Sequence, residues 1–159
     1  MIMKKISVIG IGNPLKTDDG LGIYLLEKCI ERKKEFSERI TFIDGGTGGM
    51  NLIHTFSDYD IIIIVDAVNF GGQPGEVKWF KPEEVDSTKL SLGFSIHETD
   101  FLKIIQLSKS IDKTPKSFFI FGIQPADISP GKWLSKILQQ HFDLILDKLV
   151  KKITTTDGE

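Results

Sequence analysis

Four residues of this chain are best suited to acid–base or metal chemistry. They are the adjacent aspartates Asp18 and Asp19, a third aspartate closing an isoleucine run, Asp66, and a histidine in a loop-like stretch, His97. Imidazole is a natural companion of carboxylates around a borderline transition metal, whereas Mg²⁺ or Ca²⁺ favours oxygen donors alone. One histidine and two aspartates from three separate loops would leave coordination positions open, as a substrate-facing site requires. Each residue also has a plainer reading. Thr17 or Asp18 can cap a helix by accepting backbone N–H bonds, which accounts for one aspartate of the pair and leaves the other. A carboxylate that follows five apolar residues, as Asp66 does, is paired, bonded to loop amides, or a ligand. His97 lies in GFSIHE at residues 93–98, whereas His54 and His141 fall in helical stretches and read as surface or boundary residues.

Other chemistries fit less well. Gly10 and Gly12 begin a dinucleotide-binding pattern, but its third glycine position holds Leu15, and helical spacing starts only at Gly20. The nearest acidic strand end, Asp44, lies 32 residues beyond Gly12, against about 20 for that fingerprint. No Gly-Lys-Ser/Thr phosphate loop and no G-x-S-x-G elbow is present. Cys29 sits on the apolar stripe of a predicted helix and reads as a core thiol.

The elements that must position these residues alternate between β-rich runs and helical spacing. Strands are predicted over residues 4–10, 40–43, 61–66, 76–80 and 117–122, the fourth at a sheet edge after Gln73-Pro74-Gly75. Four consecutive isoleucines suit a central parallel strand buried on both faces. Helical spacing covers residues 20–34, 50–56 and 99–107, and a last helix starts at Ser129-Pro130. The order implies one α/β domain over residues 1–153, with a mostly parallel central sheet flanked by helices on both faces. The polar residues 154–159 read as a disordered tail. In such a sheet ligands bind at the carboxyl ends of strands, near a change in strand order. Residues 10–19, 44–49 and the stretch from Asp66 meet that description.

Composition bounds the function. The chain has 159 residues, 40% of them hydrophobic, and 20 Lys+Arg against 22 Asp+Glu give a formal charge of −2. A core is affordable, and no basic excess draws the chain to nucleic acid or anionic membrane. The longest apolar runs fall far short of the roughly 20 residues of a bilayer span. One cysteine excludes an intrachain disulfide and a cysteine-cluster metal site. No cleavable apolar region follows Met1, so a cytoplasmic protein is expected.

Six blocks in order carry a resemblance over residues 6–150: GIGNPLKTDDGLG at 10–22, DGGTGG at 44–49, IIVDAV at 63–68, PGEV at 74–77, SIHETDF at 95–101 and FGIQP at 121–125. The chain resembles the [NiFe]-hydrogenase maturation endopeptidases. The resemblance implies that Asp19, Asp66 and His97 form both the metal site and the catalytic site. It also implies removal of a C-terminal extension from the large-subunit precursor after nickel insertion. On this reading the nickel is carried by the precursor and the enzyme holds no tight cofactor of its own. Asp44, Gly45, Gly46, Thr47 and Gln124 would line the substrate cleft or support the ligands. Expected besides are a monomer, no nucleic-acid partner and no membrane partner. A non-catalytic, nickel-dependent chaperone of the same precursor is the alternative.

Overall fold

The computed structural model describes residues 3–47, 52–81 and 115–159. The predicted helix over residues 99–107 and His97 lie outside them.

Five strands form one sheet: β1 (Ile6–Gly10), β2 (Ile40–Asp44), β3 (Ile61–Ala67), β4 (Val77–Phe80) and β5 (Ser117–Ile123). Their order is β2-β1-β3-β5-β4. The pairs β1–β2, β1–β3 and β3–β5 are parallel, and β4 lies antiparallel on the edge beside β5. The chain leaves β1 in one direction to form β2 and then crosses to the other side of β1 to form β3. The carboxyl ends of β1 and β3 therefore flank the point where strand order reverses, in the register Gly10 opposite Val65.

The isoleucine run is the centre of the sheet, and all seven residues of β3 are buried. Alternate side chains feed two cores. Ile61, Ile63 and Val65 join Ile6, Val8 and Phe121 beneath two helices, α1 (Leu21–Glu31) and α3 (Lys136–Gly158). Ile62 and Ile64 join Ile9, Phe118 and Ile120 beneath the short α2 (Ile53–Phe56). Each fully buried aliphatic side chain contributes about 1.5–3 kcal/mol relative to exposure, which is why the strand with both faces covered anchors the rest. Cys29 is in the first core, and burial pushes its thiol pKa up to about 12, as expected of a core thiol.

Three boundaries differ from those read in the sequence. Residues 17–20 form a turn of 3-10 helix, so α1 proper begins at Leu21. The last helix begins at Lys136, not at Ser129-Pro130, because the intervening backbone is bonded to the first loop. Thr17 Oγ1 donates to the Ser129 carbonyl at 2.7 Å, the Thr17 amide to the Gly131 carbonyl at 3.1 Å, and the Gly131 amide to the Leu15 carbonyl at 2.9 Å. Trp133, at φ 71°, turns the chain in the left-handed region and packs edge-on against Tyr24. The polar residues 154–158, expected to be a disordered tail, continue α3: Thr156 is buried, and Asp157 pairs with Arg39 at 2.7 Å beside the start of β2. Two anchors outweigh the poor helix propensity of three consecutive threonines.

Candidate active site at the reversal of strand order

Asp66 is the sixth residue of β3, facing Gly122 of β5 in register. It is 3% exposed, and its Oδ1 has no hydrogen-bond partner among the described residues. Asp19 comes from the 3-10 turn after β1 and is 1% exposed. Its Oδ2 accepts the Asn13 amide at 3.1 Å, and the same amide lies 3.2 Å from the Asp19 carbonyl oxygen.

Glycine makes this approach possible. A Cβ on Gly22 would run into the carbonyl oxygens of Val65 and Ile11, and one on Gly12 into that of Asp19. The first turn of α1 therefore lies directly on the ends of β1 and β3, and the loop before it closes over the residue next to Asp66. The glycines spaced like a dinucleotide fingerprint serve backbone packing at this corner.

Electrostatics follow from the placement. Burial, and after it the negative charge of Asp19, holds the Asp66 carboxyl well above the usual carboxylate range, against a backbone bond from Ala67 that acts in the other direction. A buried carboxyl group raised in this way either retains its proton or takes up a cation. Both states are useful: the first supplies an acid–base group, the second oxygen ligands for a divalent metal. Among the described residues no third His, Cys, Asp or Glu joins them in a metal-sized group.

Beside the pair opens a cleft of ≈ 230 Å³, whose lining includes Asp19, Asn69, Gln124, Ala126 and Asp127. Gln124 is in the wall of this cleft and also ties loops together. Its Oε1 accepts the amides of Phe70 at 2.9 Å and Gly72 at 3.1 Å, and its Nε2 donates to Asn69 Oδ1 at 3.1 Å. The segment after Asp66 is thereby fastened to the end of β5.

Asp44 ends β2, on the other side of β1, and Gly45, Gly46 and Thr47 follow it. Asp44 Oδ1 accepts the Gly46 amide at 2.8 Å, closing a turn in which Gly46 adopts φ 54°. The Gly45 amide donates to the Gly10 carbonyl and the Gly12 amide to the Gly46 carbonyl, each at 2.8 Å. Gly45 and Gly46 thus brace the Gly10–Gly12 backbone, Asp44 holds their turn, and Thr47 is exposed. His54 is exposed on α2, and His141 Nδ1 lies 2.8 Å from the Ile137 carbonyl within α3, both as expected of helix-surface residues.

Asp18 differs from its sequence reading. It caps neither the 3-10 turn nor α1; it is fully buried, and its carboxylate accepts four hydrogen bonds from residues more than a hundred positions away. Asn13 and Asn69 also escaped the sequence reading.

Comparison with known proteins shows the family and agrees with the fold. The hydrogenase maturation protease family model matches residues 23–154. The hydrogenase expression/formation protein HupD of Bradyrhizobium diazoefficiens is 32% identical over 124 residues, 78% of this chain and 64% of that protein. The chain thus spans just under two thirds of that relative's length. The hydrogenase 2 maturation protease of Escherichia coli is 26% identical over 98% of this chain and 94% of its own. Among solved structures, the Escherichia coli hydrogenase maturating endopeptidase HybD superposes with a TM-score of 0.81, at 24% identity over 96% of this chain and 93% of that one, and so shares its fold. The family match covers most of the sequence and the fold agrees with it, so the chain belongs to the hydrogenase maturation protease family.

Proposed function

We propose that this protein is an endopeptidase that removes the C-terminal extension of a [NiFe]-hydrogenase large-subunit precursor once nickel has been inserted. Asp19, Asp66 and His97 engage the nickel that the precursor carries, and the protein needs no resident cofactor. It acts as a monomer in the cytoplasm. The observation that supports this reading best is the buried Asp19–Asp66 pair at the reversal of strand order, beside a cleft walled by Gln124 and Ala126. Two carboxylates and an imidazole suit a borderline metal yet lack the thiolates that would withhold it from the hydrogenase. Precursor affinity then depends on metal loading, which makes cleavage a check on nickel insertion. The cleft wall holds the peptide, and a carboxyl group of the pair is placed to move a proton at the scissile bond.

The test is the intact mass of the precursor after incubation with this protein, with and without nickel in the precursor. Loss of a C-terminal peptide from the loaded form alone is expected. Cleavage of both forms would remove the nickel gate and leave the protease. A stable complex with no mass change would replace the protease with a chaperone. Asp19→Ala, Asp66→Ala and His97→Ala are each expected to reduce processing at least about 100-fold, the scale at which acid–base groups contribute. Normal processing by a folded variant would remove that residue from the site.

A further inference from the structure

The Asp18 carboxylate joins three pieces of chain. Its Oδ2 accepts the Ala126 and Asp127 amides at 2.9 Å each and the Ser135 hydroxyl at 2.8 Å, and its Oδ1 accepts the Ser135 amide at 2.8 Å. The Asp18 amide returns a bond to the Asp127 carbonyl at 2.9 Å. Ala126 and Asp127 line the cleft, and Ser135 is the residue before α3. The next residue along the chain is Asp19.

The same wall is fastened on its other side. Gln124 binds the amides of Phe70 and Gly72, in the loop that follows Asp66, and its own amide donates to the Glu76 carbonyl. The segment 124–127 is therefore bonded to the Asp19 loop through Asp18 and to the Asp66 loop through Gln124.

We propose that Asp18 is a positioning residue: its buried carboxylate, bonded to the cleft wall and to the start of α3, fixes the Asp19 loop in register with the wall and with Asp66. Four donors on one buried carboxylate make a stiff junction, since charge-assisted bonds are shorter and stronger than neutral ones. An asparagine in its place presents an NH₂ group to backbone amides and cannot satisfy all four. The geometry then loosens without removal of any group that touches the substrate, and misplacement of about 1 Å can cost 100-fold in rate.

The role in turnover rests on the proposed endopeptidase reading, so the test has two readouts. In the first, Asp18→Asn is compared with the unaltered protein on nickel-loaded precursor. A fall in kcat of at least tenfold is expected, with KM within threefold, because every group that binds the precursor's nickel is retained and only the alignment of the Asp19 loop loosens. In the second, amide hydrogen exchange of the free protein needs no substrate. Asp18→Asn is expected to raise exchange at Ala126, Asp127 and Ser135, and also at Asn13, whose amide is held by Asp19. Ser135→Ala removes one of the four donors and serves if Asp18→Asn does not fold; its kcat should fall about threefold. Unchanged kcat in a folded variant would overturn the proposal, as would Asn13 protection equal to that of the unaltered protein. If the unaltered protein cleaves nothing, the endopeptidase reading fails, and exchange at Asn13 still decides what Asp18 positions.

Discussion

Asp66 carries opposing demands at the scale of a single residue. Its folded-state pKa is raised by burial and by Asp19, so the folded protein binds that proton more tightly than the unfolded chain does. This contribution to stability is fully present below the ordinary carboxyl value of 3.8 and is lost as pH rises through the folded-state value. Asp66→Asn is neutral at every pH and escapes the loss, and its carbonyl oxygen can still accept the Ala67 amide. In chelator at pH 7, Asp66→Asn is expected to melt above the unaltered protein, by about 2–4 °C for each kcal/mol recovered, with the gap closing towards pH 4. Calorimetry at the two pH values measures it, and an equal or lower melting temperature at pH 7 would remove the strain assigned to this carboxyl. The same variant is expected to lose processing, the usual exchange of stability for function at a buried charge.

Elements set the distance between the two carboxyl groups, and one contact controls it. The start of α1 rests on β1 and β3 through Gly22, where any side chain would meet the carbonyl oxygens of Val65 and Ile11. Backbone at both sides cannot yield as a flexible side chain would. Gly22→Ala is therefore expected to destabilise the fold by about 3 kcal/mol, the upper end of ordinary overpacking, and to lift Asp19 away from Asp66. Urea unfolding measures the first effect and precursor processing the second. An unchanged urea midpoint would show that the helix can shift without cost.

For the molecule as a whole, the last helix closes the domain. α3 starts at the Asp18 junction near the site and ends at Arg39, just before β2, after crossing the core with Leu138, Phe142, Ile145 and Leu149. Removing residues 154–159 deletes the Arg39–Asp157 pair and the buried Thr156 while leaving Ile153 in the core. A loss of about 1–2 kcal/mol is expected, within the range of partly buried contacts, with processing retained. Urea unfolding of the truncated chain tests this, and no change in midpoint would mean that the end of the helix carries no stability.

The sequence by itself determined the strands, the sheet's mostly parallel character, its edge strand and the family. Isoleucine runs, edge-strand punctuation and ordered motif blocks are local signals that need no partner to be read. It also singled out Asp66, because a carboxylate at the end of a buried strand is conspicuous wherever the chain goes next, and it left one aspartate of the Asp18-Asp19 pair to spare, which the family resemblance took to be Asp19. His97 falls outside the described residues. Only the tertiary structure decided what the neighbouring aspartate does. A cap and a long-range anchor look alike in sequence, since both need an acceptor beside a helix start, and the choice depends on which amides arrive from residues 126–135. The helix boundaries at both ends of α3 were settled in the same way. Local propensity favoured a start at Pro130 and a frayed end, and hydrogen bonds to Thr17 and an ion pair to Arg39 overrode it.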